Sequence, residues 1–279
     1  MQVYGDDFLY GDLFRASDYG FVTGSLGQDA VSDDEIMIAP QTNDAFLGEN
    51  LNSLYISQVY SDHIEMSVTL IKNPCVYVKD PFFSEHDLRG LMRVTTGQRG
   101  WQWTRIVPEK DVMDTEIWYR ARTTGVTYNR VRGRIVGVTL TLMTDGAAAY
   151  SEPKHLSLDA DLLHEFNIYN DTDDINNYTY GVWQIKISDS LSGTGRLTIL
   201  NKTDDNWQFN LSSVSANELI TIDSKMCTIK SSLRSPEVLL NQSNLHFPRL
   251  LPGKNTFLIG LPVHVDLTYR AARKVGVLQ

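Results

Sequence analysis

Apolar and polar positions alternate with period two through most of the chain, the pattern of half-buried β-strands. The longest such run lies between Gly133 and Pro153. There Val136, Val138, Leu140 and Leu142 alternate with Gly137, Thr139 and Thr141. Asp145-Gly146 is expected to end it in a tight turn with positive φ. Upstream, Ile64, Met66, Val68 and Leu70 alternate with Glu65, Ser67 and Thr69. Further strands are predicted within Tyr10–Phe21, Glu35–Pro40 and Ser53–Tyr60, and from Gly100-Trp-Gln-Trp onward. Glu116–Thr123 and Val126–Arg134 read as two more, joined by a turn at Thr124-Gly125. Gln41–Asn52 is polar and reads as a long exposed loop or arm. One helix is predicted, about Glu85 to Thr95. Ser84 is its N-cap, Asp87 stands three residues on, and Leu88, Leu91, Met92 and Thr95 share a face.

From about residue 154 the composition shifts to Asn, Ser and Thr with fewer charges. Short strands are predicted at Glu165–Tyr169, Tyr178–Ile187, Gly195–Asn201, Trp207–Leu211, Glu218–Ile222, Met226–Lys230, Val238–Leu240, Thr256–Leu261 and Val263–Tyr269. Many short, evenly spaced strands indicate an antiparallel sandwich. Trp183 shares a strand face with Ile185 and Ile187 and is assigned to the core. The chain is therefore expected to be mainly β, in two domains, 1–150 and 151–279, with the boundary near residue 150.

With 42% hydrophobic residues and 10% aromatics the chain can fill a sizeable core, and no run reaches the ~18 apolar residues of a membrane span. The amino terminus lacks the basic and apolar regions of a secretory signal, so the five Asn-x-Ser/Thr sequons at Asn170, Asn177, Asn201, Asn210 and Asn241 are read as chance. Cys75 and Cys227 lack metal-ligand spacing and are expected to be buried apolar residues.

The net charge of −9 matches that of the first fifty residues, where ten acids, among them Asp29, Asp33, Asp34, Glu35, Asp44 and Glu49, stand against the single base Arg15. Clustered bases are what a duplex reader needs, so sequence-specific nucleic-acid binding is excluded. The sign reverses at Arg120, Arg122, Arg130, Arg132 and Arg134, all at even positions and so sharing a face within each predicted strand. Because the apolar parity has switched by Val136, a bulge or bend is needed near Gly133 or Gly137. These arginines have two readings, a solvated hairpin face with local acidic partners or a subunit interface with the acidic first fifty residues.

No catalytic constellation can be assembled. His155, His164 and His246 are scattered, no nucleophile elbow or phosphate loop occurs, and the acidic run Asn170–Asn177 lacks the Gly and closing Glu of a calcium loop. No cofactor and no metal are expected. A carbohydrate-binding module is the competing reading, with Trp207, which follows the loop residues Thr203-Asp-Asp-Asn, as the candidate glycan contact.

Two stretches carry a family resemblance. One is Val138-Thr-Leu-Thr-Leu-Met-Thr-Asp-Gly-Ala-Ala-Ala-Tyr-Ser-Glu. The other is Phe247-Pro-Arg-Leu-Leu-Pro-Gly-Lys-Asn-Thr-Phe-Leu-Ile, preceded by Ile222-Asp-Ser-Lys-Met-Cys-Thr-Ile. With Trp101, Trp103 and the capped helix upstream, their order resembles the distal tail proteins (Dit) of long-tailed, siphovirus-like bacteriophages. The resemblance implies a β-sandwich or barrel with one short helix over 1–150, forming a hexameric ring at the tail tip, and a galectin-like antiparallel β-sandwich over 151–279. It implies a virion structural protein assembled in the host cytoplasm. The ring would join the tail tube protein to the baseplate hub or tail-associated protein, with tape measure and receptor-binding proteins as further neighbours, and would let DNA pass. It carries over no catalytic residue and no membrane contact. A receptor-binding component of the baseplate is an alternative within the same setting.

Overall fold

The computed structural model describes residues 5, 7–24, 63–107 and 117–274 in full and the backbone alone at 2–3, 41–45 and 54–59. The chain falls into two compact units, one comprising the residues up to Tyr150 with the terminal residues from Lys274, the other Ser151–Arg273.

The first unit contains strands β1 (Gln2–Val3), β2 (Asp7–Tyr10), β3 (Phe14–Arg15), β4 (Phe21–Thr23), β5 (Gln41–Ala45), β6 (Leu54–Val59), β7 (Glu65–Lys72), β8 (Gln102–Val107), β9 (Tyr119–Val131), β10 (Arg134–Thr144) and β11 (Ala149–Tyr150). Eight of them form one sheet in the order β1-β7-β10-β9-β8-β2-β3, with β4 also on β7. The antiparallel register sets Val138 against Leu70, Leu140 against Val68 and Leu142 against Met66, so the two alternating runs of the sequence meet face to face and are fully buried. Helix α1 (Glu85–Thr95) buries Leu91 against that face, with Leu88 and Met92 alongside. Its start is a reciprocal capping box, in which the Asp87 amide donates to Ser84 Oγ and the Ser84 amide donates to Asp87 Oδ2. Asp87 also holds the Lys72 ammonium at 2.8 Å, which ties the helix to β7 while Lys72 itself is buried.

Several expectations for this unit need correction. There is no turn at Thr124-Gly125, since β9 runs straight through it. Thr124 is an extra residue that shifts the register against β10, and the reversal comes at Arg132-Gly133, whose positive φ values of 49° and 80° suit a two-residue hairpin turn. The bulge required near Gly137 is present, at Val136. The strand ends at Thr144 as expected, but neither Asp145 nor Gly146 takes a positive φ. Part of the polar arm is a strand, because β5 pairs with β6, and Tyr10–Phe21 is broken into β2, β3, a 3-10 turn (Ala16–Tyr19) and β4. The Glu35–Pro40 strand lies outside the described residues.

The second unit contains β12 (Lys154–Ala160), β13 (His164–Asn170), β14 (Gly181–Ile187), β15 (Thr194–Asn201), β16 (Trp207–Ser215), β17 (Leu219–Asp223), β18 (Thr228–Ser231), β19 (Gly253–Ile259), β20 (Val263–Tyr269) and β21 (Ala272–Arg273). A five-stranded sheet, β12-β20-β14-β17-β18, and a four-stranded sheet, β13-β19-β15-β16, are both antiparallel. Trp183, Ile185, Ile187, Phe209, Leu211, Phe257 and Ile259 fill the core they share. Trp183 sits in that core, 1% exposed. The Val238–Leu240 strand is instead part of helix α2 (Pro236–Gln242), started by Ser235 with Pro236 in the first helical position. Strand β12 was not predicted, although Leu156 and Leu158 alternate with His155, Ser157 and Asp159. Both cysteines are exposed rather than buried, Cys75 beside the tight turn at Asn73 and Cys227 in a turn at φ 52°.

Candidate interaction surfaces

The arginines do not share one face. Tyr119 and Ala121 are buried, so Arg120 and Arg122 point away from the core of the sheet. The extra residue at Thr124 reverses the parity. Beyond it Val126 packs on the same core, and the even positions as far as Arg130 lie on the core side of the sheet, past the core's end, where Tyr128 is already 40% exposed. Arg132 sits in the hairpin turn and Arg134 opens β10.

Local contacts occupy four of the five. Arg120 meets Asp145 at 3.3 Å. The Arg122 guanidinium lies 4.8 Å from the Trp101 ring centroid. Arg130 donates to the Gly133 carbonyl at 3.1 Å. Arg134 reaches Asp80 at 3.3 Å and covers the Phe82 ring at 3.7 Å. Arg122, Arg130, Arg132 and Arg134 nevertheless remain exposed at the end and outer side of the β9–β10 hairpin. Of the acids set against them, Asp29, Asp33, Asp34, Glu35 and Glu49 lie outside the described residues, as does the side chain of Asp44 on β5.

Trp207 opens β16 and is half-buried. Its indole N–H donates to the Phe247 carbonyl at 2.9 Å, the His246 ring stacks on it at 4.5 Å and 18°, and the Arg249 guanidinium lies 3.9 Å from its centroid. The same guanidinium lies 3.8 Å from the Tyr178 ring, and Asp204 holds it at 2.7 and 3.3 Å. The Thr179–Leu250 bridge, two backbone hydrogen bonds of 2.9 Å, sets Tyr178 beside Arg249. The indole is thus committed on its ring and its N–H to partners within the chain. Arg249, the centre of this cluster, was not singled out in the sequence, although it lies in the Phe247–Ile259 stretch.

Below it, Asn201 and Asn255 form the base of the loop. Asn201 Nδ2 donates to the Arg249 carbonyl and to Asn255 Oδ1, and Asn255 in turn donates to the Leu251 and Gly253 carbonyls. Gly253 takes the expected positive φ, 83°, and Leu250 is buried. A second polar node was also missed. Glu218 is wholly buried and accepts from the Ser215 amide at 3.0 Å, from Ser231 Oγ and from Arg234 Nε at 2.8 Å. Arg234 donates further to the Ser212 carbonyl and to Gln242, which pins α2 to the sandwich.

Among the described residues no group of three or more His, Cys, Asp or Glu could hold a metal ion. Among the described residues no helix is long and apolar enough to cross a membrane. In the run Asn170–Asn177, Asp171 is bound by Lys154 and Arg273, while Asp174 accepts from the Asn176 amide and the Asn177 side chain. Burial pushes the Asp171 carboxyl up, but its hydrogen bonds with Lys154 and Arg273 outweigh this and hold it below the ordinary carboxylate value. These residues form a charge-paired turn. The arrangement as a whole offers exposed edges, a basic hairpin and a braced loop.

Two family models account for nearly the whole chain, a phage tail protein N-terminal domain over residues 3–146 and a phage tail C-terminal domain over 148–269. The chain belongs to this family of phage tail proteins. Its fold is similar to that of the Dit protein of phage SPP1, described as a paradigm of the hub adsorption apparatus in phages infecting Gram-positive hosts. That match has a TM-score of 0.61 at 13% identity and covers 95% of this chain and 98% of the other. Chains of the phage P2 baseplate in its activated conformation, with Ca and with Sr, match with TM-scores of 0.55 and 0.57, each at 7% identity over 96% of this chain and 98% of theirs. No curated protein sequence matches. The tail protein is therefore mainly β and two-domain, with a fold similar to that of Dit.

Proposed function

We propose that this tail protein is a distal tail protein that closes into a ring, with six copies as the expected number. The ring joins the tail tube protein to the baseplate hub or tail-associated protein at the distal end of the tail, and DNA passes through its lumen. The observation that carries the reading is the match of both family models together with a Dit-like fold spanning 95% of the chain. The amino-terminal unit forms the ring and the sandwich projects from it. Tape measure and receptor-binding proteins are its further neighbours, assembly takes place in the host cytoplasm, and the protein performs no catalysis. The arginines of the β9–β10 hairpin and the acids of the first fifty residues (Asp29, Asp33, Asp34, Glu35, Asp44 and Glu49) belong to the contact between copies. An acidic lumen suits passage of DNA, because like charge disfavours phosphate contact.

The carbohydrate-binding reading draws no support from Trp207, whose ring and N–H already have partners within the chain. Light scattering of the full chain across salt and concentration tests the proposal. A hexamer, or a monomer–hexamer equilibrium that weakens with salt, is expected. A mass of one chain under all conditions, with specific capture on a glycan array, refutes it.

A further inference from the structure

Glycine is the poorest helix former apart from proline, because it gives up the most chain entropy. Helix α1 nevertheless carries Gly90 at its middle. Among the described residues nothing in the chain asks for it. Outside the helix's own backbone a Cβ at Gly90 would meet no atom within 4 Å, and its φ is not in the left-handed region. Gly97, just past the helix, is the contrast. A Cβ there would fall 2.4 Å from the Arg93 carbonyl oxygen, so the chain itself requires that glycine. What Gly90 leaves is a notch on the outside. Leu88, Leu91, Met92 and Thr95 face the core, and at 3.6 residues per turn His86, Gly90, Arg93 and Gly97 fall along the opposite side. With Arg89 and Thr96 they line a shallow open groove of about 660 Å³.

The rim of this groove is basic. Arg89 and Arg93 are exposed along it, and His86 stands at its start. The acids of the helix do not neutralise them. Asp87 is bound to Lys72 and to the Ser84 amide, and Glu85 reaches Arg89 only at 3.9 Å, with both side chains more than four-fifths exposed. A surface pair of that kind contributes little and is readily exchanged. A base in the last turn suits the helix dipole, which accounts for Arg93 but not for the notch beside it. Two guanidinium groups flanking a position without a side chain fit one kind of occupant. Their forked donors match carboxylates, and the missing Cβ lets another backbone come close.

We infer that the outer face of α1 docks a carboxylate-bearing segment of a different tail protein, whose backbone crosses the helix at Gly90 and whose acids reach Arg89 and Arg93. The ring reading assigns this chain's own acids to the β9–β10 arginines, so the occupant of α1 is another protein. That choice of partner rests on the ring reading, whereas the notch and its basic rim do not. Opposite charge across such a contact selects the partner and speeds its capture, and the close approach at Gly90 fixes where it crosses.

The test sets stability against contact. In the purified full chain G90A should raise the melting transition of the first unit by about 2–4 °C, as expected for a helix-interior glycine with room for a methyl group. In assembled phage particles, the chain with Thr96 replaced by the photo-reactive p-benzoylphenylalanine should cross-link to a second protein, at a peptide containing Asp or Glu. Adding G90A should lower that yield by about fivefold or more although it stabilises the chain, and R89Q/R93Q, shown folded by circular dichroism, should lower it as far. If G90A blocks particle formation while the chain folds, the R89Q/R93Q particles decide. A G90A chain that melts lower means that the glycine serves the fold, and overturns the inference. So do a cross-link yield unchanged by G90A and R89Q/R93Q, a link to the same chain or to another copy, a link to a segment without carboxylates, and no link at all. None of these outcomes bears on the number of copies, which light scattering reads separately.

Discussion

Removing the Arg234 side chain leaves one of the most costly groups in the second unit without its counter-ion. Glu218 is 0% exposed, and its carboxylate is held by the Ser215 amide, the Ser231 hydroxyl and Arg234 Nε. In R234A two neutral donors remain and the charge stays buried, a situation that typically costs about 3–5 kcal/mol. The variant also frees the Ser212 carbonyl and the Gln242 side chain, the latter the contact that fastens the end of α2. At roughly 4 °C per kcal/mol for a unit of this size, R234A should lower the melting transition of the sandwich by about 12–20 °C. Trp183, 1% exposed in that core, gives a fluorescence signal for its unfolding. The companion variant E218L/R234L removes both charges and should be less damaging than R234A, because no bare ion is left behind. If R234A costs less than about 1 kcal/mol, or the double variant is the worse of the two, Glu218 and Arg234 do not form a desolvated ion pair.

Asp87 serves the α1 cap and the buried Lys72 together, so D87A should cost about 2–4 kcal/mol in chemical denaturation of the first unit, well above the ~1 kcal/mol of a cap alone. Acid should destabilise the same unit. Burial raises the Asp7 carboxyl, but bonds from Arg15, Ser17 and Phe8 outweigh it and hold it below the ordinary value of 3.8; its contribution is full above that value and is lost as the pH falls through the lowered one. D7N should therefore flatten the loss of melting temperature between neutral pH and about pH 3. His264 is raised by its hydrogen bond to Asp159 and by Asp266. In an NMR titration it should keep its proton to higher pH than an ordinary histidine, and D159N should bring it down. G253A should cost about 1 kcal/mol from the positive φ alone, since a Cβ there meets no atom within 4 Å. A neutral result would mean that the loop adopts another backbone.

The strongest local signals were legible in the sequence. The capping box at Ser84 and Asp87 placed α1 at its observed bounds, and period-two alternation found β7, β10 and β20. What failed did so where one residue changes the phase. Thr124-Gly125 looks like a turn by composition, but in a long strand an extra residue is accommodated as a bulge, and the arginine parity counted across it then misassigns the face. Val238-Leu-Leu is apolar and β-permissive, yet Ser235-Pro236-Glu237 upstream is a helix start and prevailed. The Arg249 cluster and the Glu218–Arg234 pair join residues separated by 45 and 16 positions, a proximity that no local spacing encodes. The exposure of Cys75 and Cys227 follows from their turns, which composition does not reveal.

The bulge at Thr124 is a place where the β9–β10 hairpin can change length by one residue without changing what it presents. Without that residue Thr123 would still stand opposite Leu142 and Gly125 opposite Thr141, so strict alternation would return with Arg120 and Arg122 on the outer side and Arg130 on the core side as before. Tyr119 and Ala121 before the bulge and Val126 after it pack on the same core, which holds both halves of the strand in their present facing. What the extra residue adds is a local bend and a stronger twist. Length variation at this position would therefore re-aim the exposed end of the hairpin while leaving the buried half of the sheet intact.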